Sequence, residues 1–310
     1  MPVVVRNEGG RLVAFRNVCP HRHSQIVPPG DGVAATLRCQ YHGWEFDGDG
    51  KLSRLPDGRS FKGFKARDAC LEGLRVEALG PLLFVNLSAE APPMREAFGA
   101  VYDELLERFT GMEPFLHQRT DHDANWKIAV ENAVESYHVP MVHPTTFKDY
   151  LAEEFHDHRL EPTFSSYRPT APPSWRERLA FAGFRLMFAR DEARRYQHIH
   201  VMPNHLVSLS GIYAEFVTVV PLGPERCRRE GWGFVPRGVR ANPLARGLDV
   251  AHRALTRRGA DALLREDGGV WPAVQAGIRH SRYRGVLSAR EERVAHFQQW
   301  VARRIRAAAP

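Results

Sequence analysis

The sequence predicts an α+β protein of two domains: an all-β N-terminal domain and a larger domain of mixed strands and helices. Three observations carry this. Residues 1–90 are short β-rich runs broken by turn signals. The segment S-A-E-A-P-P at 88–93 reads as a linker. Beyond it, amphipathic helical stretches alternate with apolar strand-like runs. The boundaries follow as 1–92 and 93–310, and 310 residues suffice for two domains, one of them holding a large core.

In order along the chain, V-V-V-R, L-V-A-F-R, A-A-T-L-R and P-L-L-F-V-N-L are the strand candidates. They are separated by N-E-G-G, P-P-G-D-G, D-G-D-G and P-D-G. An amphipathic helix is predicted over 95–109, with Phe98, Val101, Leu105 and Phe109 on one face. Further helices are expected at 125–138, 175–190, 248–265 and 289–307, and strands at 198–202, 206–220 and 230–235. The Pro-rich stretch 168–174 reads as a lid or a connector. In the last helix Val294, Phe297, Val301 and Ile305 form a core-facing stripe opposite a solvated Arg/Glu face.

Composition narrows the function. The apolar fraction is 43 %, no run approaches the length of about eighteen apolar residues needed to cross a bilayer, and the first residues lack a secretory profile. Four cysteines are too few for a disulfide scaffold. Cys70 and Cys227 read as free thiols, and a reducing cytoplasm is expected. The net charge of +7 comes from Arg interspersed with acids, which argues against a nucleic-acid stripe, although a basic face would help an acidic electron donor to dock.

The chemistry concentrates in two places. The first is C-P-H-R-H with C-Q-Y-H-G-W, presenting Cys19, His21, Cys39 and His42. Two thiolates and two imidazoles suit a [2Fe–2S] cluster whose cysteines hold one iron and whose histidines hold the other. Structural zinc is the rival reading, but common zinc fingers group Cys with Cys and His with His. The second is N-W-K-I-A-V-E-N-A-V-E-S-Y-H-V-P-M-V-H-P. Glu135 and His138, three apart, share a helical face. His143 would lie about 140° from His138 on a straight helix, and Pro140 interrupts that helix so that His143 can swing back. Two imidazoles with one carboxylate make the ligand set of non-haem Fe(II) oxygenases.

With these motifs the chain resembles the large (α) subunit of Rieske non-haem iron oxygenases, of the aromatic ring-hydroxylating dioxygenase type, over nearly its whole length. The resemblance implies a Rieske [2Fe–2S] domain followed by a helix-grip (START/Bet v 1-like) catalytic domain with a curved antiparallel sheet. It implies that His138, His143 and Asp267 bind Fe(II), Asp267 matching a downstream E-D pattern followed by Gln275 and Gly277, with Glu266 as the fallback ligand. Gly268, Gly269 and Pro272 are expected to weaken the helix presenting it. Glu135 is expected to bridge a Rieske histidine of one protomer to His138 of the next. Most relatives have Asp there, and Glu occurs in the choline-type branch. Asn132 and Tyr137 are candidate catalytic residues. His200, Met202 and His205 are candidate pocket walls, and Tyr213 and Phe216 fall in strands that line the cavity in relatives.

His23 stands where the family usually has Gly, and is expected on the solvent side of the cluster loop. The chain starts where relatives are already into their first strands, so an N-terminal segment is expected to be missing. The implied partners are O₂, a small organic substrate, NAD(P)H electrons through a separate flavin or iron–sulfur reductase with or without a ferredoxin, and further copies of the chain in a trimer or larger. Neither nucleic acid nor membrane is implied. Ring hydroxylation is the first functional reading. The second is a monooxygenase or N- or O-demethylase of a quaternary amine or methoxy compound, and the third a non-catalytic iron–sulfur carrier or binding protein.

Overall fold

A computed structural model describes residues 1–308 apart from 89, 145, 147–155, 171, 174, 189–195 and 212. The chain divides into two compact units, Met1–Glu96 and Ala97–Pro310.

The first unit is all-β apart from short turns of 3₁₀-helix and the start of the linking helix. Strands β1 (Val3–Glu8), β2 (Arg11–Arg16), β6 (Gly73–Leu79) and β7 (Leu82–Asn86) form one antiparallel sheet in the order β1-β2-β6-β7. Strands β3 (Leu37–Arg38), β4 (Glu45–Phe46) and β5 (Leu52–Arg54) form a second, smaller one. Between them Phe15, Ile26, Leu37, Trp44, Phe46 and Leu71 bury their side chains together with Cys19 and Cys39. Both cysteines therefore sit at the edge of a dry core.

The second unit is built on a seven-stranded antiparallel sheet in the order β8-β14-β13-β12-β11-β10-β9. Its strands are β8 (Met112–His122), β9 (His156–Leu160), β10 (Phe164–Pro169), β11 (Gln197–Val201), β12 (His205–Leu209), β13 (Ala214–Gly223) and β14 (Arg226–Pro236). The helices are α1 (Met94–Phe98), α2 (Tyr102–Phe109), α3 (Trp126–Ala133), α4 (Val139–Val142), α5 (Trp175–Met187), α6 (Pro243–His280) and α7 (Glu292–Ala308). Strand alternation sorts the helices onto the two faces of the sheet. Val217, Val219 and Cys227 pack with Ile128, Val130 and Val134 of α3, Trp271 of α6 and Phe297 of α7. Phe216 and Phe234 turn the other way and meet Phe109 of α2 edge-on, at 6.2 and 5.3 Å between ring centres. Each such fully buried aromatic contributes about 1.5–3 kcal/mol of transfer free energy. Among the described residues no helix is long and apolar enough to cross a membrane.

Several elements differ from expectation. The helix over 95–109 is interrupted at Gly99, which takes φ +65° and starts a 3₁₀ turn, yet Phe98, Val101, Leu105 and Phe109 are all buried as the periodicity requires. The strand over 206–220 is two strands joined by a hairpin, closed by Ser210 N–H on the Tyr213 carbonyl at 2.8 Å. Strands β8 and β9 and most of β10 had no sequence signal. Their polar residues are exposed on one side and carry little periodic contrast: β8 reads M-E-P-F-L-H-Q-R-T-D-H. Of the stretch 168–174, Arg168 and Pro169 close β10, while 171 and 174 lie outside the described residues, as do 189 and 190 of the helix expected at 175–190.

The largest correction concerns α6, which runs unbroken for 38 residues through Gly268, Gly269 and Pro272. Tertiary packing outweighs propensity here. A Cβ on Gly268 would lie 2.6 Å from Cε1 of His122, so glycine lets the helix approach β8 closely.

Candidate functional site: two metal-ligating centres

In the first unit the two Cys/His loops are built alike. Cys19 N–H donates to Ser24 C=O at 2.8 Å and His23 N–H to Cys19 C=O at 2.9 Å; Cys39 N–H donates to Trp44 C=O at 2.8 Å and Gly43 N–H to Cys39 C=O at 2.9 Å. Each loop turns at its fifth residue through the left-handed region, His23 at φ 60° and Gly43 at φ 71°. His23 is exposed, on the solvent side of its loop as expected. The Cys19 and Cys39 thiols lie side by side, and burial with that neighbour pushes the Cys19 thiol up to about 11. Two buried thiols gain nothing from remaining protonated and adjacent; a metal that takes both as thiolates removes the cost. The rings of His21 and His42 lie 4.6 Å apart, and His21 stacks on Trp44 at 4.8 Å. Burial, with His42 and Arg22 nearby, holds His21 below the usual histidine range, so it is neutral, and its Nδ1 is buried without a hydrogen-bond partner. An unpartnered imidazole nitrogen beside two thiols fits the two-Cys, two-His set of a Rieske cluster.

In the second unit the local chain path differs from a single helix. Asn125 caps α3, its Oδ1 accepting from Lys127 N–H at 3.0 Å. Gln275 of α6 accepts from Asn125 N–H at 2.8 Å, which docks the two helices. Helix α3 stops at Ala133, so Glu135 and His138 sit in the turn before α4 and not on one helical face. The Glu135 carboxylate competes with the helix for backbone donors: Oε2 accepts from the Tyr137 and His138 amides, and Oε1 is hydrogen-bonded to His138 Nδ1. Pro140 opens α4, where its missing N–H costs nothing, and His143 caps the end of that helix. The break lies before Pro140, but its result is the expected one: the His138 and His143 rings stand 5.2 Å apart.

Helix α6 brings Glu266 and Asp267 to them. Asp267 Oδ1 lies 2.9 Å from His143 Nε2 and 3.5 Å from His138 Nε2, and one ligand atom from each of the three residues falls within 4.8 Å of the others. Oδ1 is buried and has no hydrogen bond of good geometry. The three atoms thus converge on a shared position more than they bond one another, as metal ligands do. Glu266 is not in that triad: its Oε2 is 2.7 Å from His143 Nδ1, and both its oxygens accept from Thr146 Oγ1 at 2.8–2.9 Å. Glu135 and Glu266 therefore play matching parts, each fixing the rear nitrogen of one imidazole so that its Nε2 faces Asp267.

The charges agree. Burial opposes protonation of His138 and His143, but Asp267 with Glu135 raises His138 to about 9, and Asp267 with Glu266 raises His143. Burial also opposes ionisation of Asp267, yet the two imidazoles hold it below the usual carboxylate range. Three carboxylates around two imidazoles demand positive charge, supplied by protons or by a divalent cation. The donor set fits ferrous iron.

Of the other candidates, Asn132 Oδ1 accepts from Trp271 Nε1 at 3.0 Å, pinning α3 to α6 one turn beyond Asp267. Tyr137 is two-thirds exposed and joins the site through its backbone amide. The pocket-wall candidates do not share a face. His200 and Met202 are packed into the helix-covered side, His200 against Phe297, whereas His205 and Phe216 face α1 and α2, with His205 6.2 Å from Phe98. An unbroken strand over 206–220 concealed that split.

A Cys₂His₂ loop pair in a small β unit and a His₂-carboxylate cluster beside a helix-covered sheet are the two ligand sets that mark the Rieske oxygenase class. The family models agree: the ring hydroxylating alpha subunit (catalytic domain) matches residues 109–307 and the Rieske [2Fe-2S] domain residues 1–65. The chain belongs to the ring hydroxylating alpha subunit family, whose members pair a Rieske cluster with non-haem iron. It is 33 % identical over 156 residues to the anthranilate 1,2-dioxygenase large subunit of Burkholderia cepacia, a match covering 47 % of this chain and 37 % of that protein. It is 25 % identical to the chloroplastic choline monooxygenase of Spinacia oleracea, covering 96 % of this chain and 66 % of that protein. The fold matches the quaternary ammonium Rieske monooxygenase CntA solved with L-carnitine, with TM-score 0.75, 19 % identity and coverage of 97 % and 81 %. Matches to the bacterial dioxygenase large subunits and the glycine betaine monooxygenase oxygenase subunit span only 32–42 % of those proteins' length.

Proposed function

We propose that this chain is the terminal oxygenase component of a multicomponent system, using O₂ and reductase-supplied NAD(P)H electrons to hydroxylate a small organic substrate. The observation that carries the reading is the convergence of His138, His143 and Asp267, each imidazole held from behind by its own carboxylate. When bound, the Rieske cluster at Cys19, His21, Cys39 and His42 supplies electrons, and Fe(II) at His138, His143 and Asp267 supplies O₂ activation. The chain's own residues do the rest. Glu135 and Glu266 set the ring tautomers, the Asn132–Trp271 bond holds α6 at the register that presents Asp267, and the apolar packing of α3 and α6 on the sheet keeps water out. Glu135 retains lone pairs beyond its bonds to His138 and the Tyr137 amide, and is the group through which a Rieske histidine of a neighbouring protomer would couple; a homotrimer or larger and a separate flavin or iron–sulfur reductase belong to the same reading, as the resemblance implies.

Two substrate readings remain in view: dihydroxylation of an aromatic compound, and monooxygenation of a quaternary amine, which the Glu at position 135 favours. Turnover under ¹⁸O₂ with reductase and NADH separates them, two labels in the product marking the first and one the second. A bare electron carrier would bind two irons per chain, against three for the oxygenase. Three irons with no substrate-dependent O₂ uptake across both substrate classes would end the proposal.

A further inference from the structure

On the sheet face that carries α3 and α6, β14 presents Cys227, Arg229, Gly231 and Gly233 in alternation, and β13 and the turn before it present Tyr213, Glu215, Val217 and Val219. Glu215 lies opposite Gly233, and Arg229 opposite Val219. Arg229 and Glu215 form an ion pair there, with side chains only 12 % and 10 % exposed. The glycines seat this cluster. A Cβ on Gly231 would fall 2.8 Å from Arg229 Nη1, and one on Gly233 3.1 Å from the Tyr213 ring. Two strong donors in it have nothing to donate to: Arg229 Nη1, because Glu215 takes only the Nη2 side, and the Tyr213 hydroxyl; both atoms are buried and without a hydrogen-bond partner. Burial raises the Tyr213 phenol far above its ordinary value, so it is a donor at any working pH. Leaving two such groups unsatisfied is costly, about 1–3 kcal/mol each and more for the cation. A cavity of about 280 Å³ opens on the same face, between β8 and α6, lined by Thr120, His122, Asp261, Leu264, Arg265 and Gly268; Arg229 and Tyr213 lie outside that lining, and the cavity adjoins them through Thr120, the strand partner of Arg229.

We propose that Arg229 and Tyr213 receive the carboxylate of the substrate, so that the oxygenase acts on small organic acids held against this sheet face. A carboxylate is the acceptor that meets a guanidinium edge and a phenol together, with charge-assisted bonds. The assignment deepens the oxygenase reading and takes its substrate class from that reading, but it is tested by binding alone, without reductase or O₂.

The experiment uses the iron-loaded protein under nitrogen, with benzoate and glycine betaine as carboxylate probes and benzamide and choline as counterparts lacking the charge. The expected result is that a carboxylate raises the melting temperature saturably and its counterpart does not. Tyr213→Phe should weaken that binding about tenfold and leave the melting temperature of the free protein unchanged or higher, because the hydroxyl it removes has no partner. Arg229→Lys should weaken it more. Binding of benzamide or choline in preference to the acids, binding of none of the four, or unaltered carboxylate affinity in Tyr213→Phe would each overturn the assignment. Tight, Tyr213-dependent carboxylate binding in a protein that separately shows no substrate-dependent O₂ uptake with reductase would leave the carboxylate site standing and remove the oxygenase reading instead.

Discussion

Single residues carry the clearest signals here because metal ligation restricts chemistry more tightly than packing does. Cys19, His21, Cys39 and His42 stand out by residue type and spacing, whereas the pair His138 and His143 is a weak motif by itself and stands out only with the Rieske signature upstream. Asp267 does not stand out. It lies more than 120 residues downstream, and only resemblance suggested it among 36 acidic residues. The part played by Glu266 had no sequence signal, since it depends on which imidazole nitrogen α6 happens to approach. That part is testable. Glu266→Gln keeps the volume but replaces the carboxylate behind His143, so Fe(II) affinity or turnover should fall roughly 10- to 100-fold. The Rieske spectrum should not change. Asp267→Asn, which alters a proposed ligand, should lose the mononuclear iron altogether, and metal analysis of the two variants distinguishes positioning from ligation. Equal iron loss in both would make Glu266 a ligand.

At the scale of elements, amphipathic stretches were read well except at their ends, where Ile305 of the α7 stripe is exposed, and interruptions were read poorly. The stripe of Phe98, Val101, Leu105 and Phe109 located a buried helical segment, but the break at Gly99 depends on its fit against Thr163 from elsewhere in the fold. The reverse error arose in α6, where two glycines and a proline suggested a weak helix and packing keeps it whole. Gly268→Ala should therefore destabilise the protein despite the better helix propensity of alanine. The gain of about 1 kcal/mol in propensity is set against about 1–3 kcal/mol for a methyl driven into the His122 ring, which is itself packed on Trp271 at 4.5 Å. Denaturant midpoints decide it, and a more stable Gly268→Ala would show that His122 yields freely. In the cluster loops His23 occupies a left-handed position that its twin fills with Gly43. His23→Gly should stabilise the first unit by about 0.5–1 kcal/mol, the left-handed strain relieved minus the added chain entropy, with the cluster spectrum intact.

Across the whole molecule, two groups among the fifteen histidines meet opposite electrostatic surroundings. Around the mononuclear centre carboxylates favour charge on imidazole. On the two faces of the sheet, burial forbids it: His198 is held well below its ordinary value, His200 falls to about 3 and His205 to about 4, in each case chiefly through burial. Sequence could not tell these groups apart, because H-I-H-V-M-P-N-H looks as metal-binding as S-Y-H-V-P-M-V-H; what separates them is whether a carboxylate from another element arrives. The buried set makes stability depend on pH in a definite direction. Between pH 6.5 and about 4 the unfolded chain binds protons at these positions and the folded chain does not, so stability is complete above about pH 6.5 and falls as the pH drops through this window. Each unit of depression corresponds to about 1.4 kcal/mol, so several kcal/mol are lost by pH 4. Urea midpoints of the iron-loaded protein should be level from pH 7.5 to about 6.5 and decline from there to pH 4, and His205→Gln, which has no proton to gain, should flatten part of that decline. A midpoint that holds constant down to pH 4.5, or a His205→Gln profile parallel to the parent, would mean that water reaches these imidazoles in the folded protein.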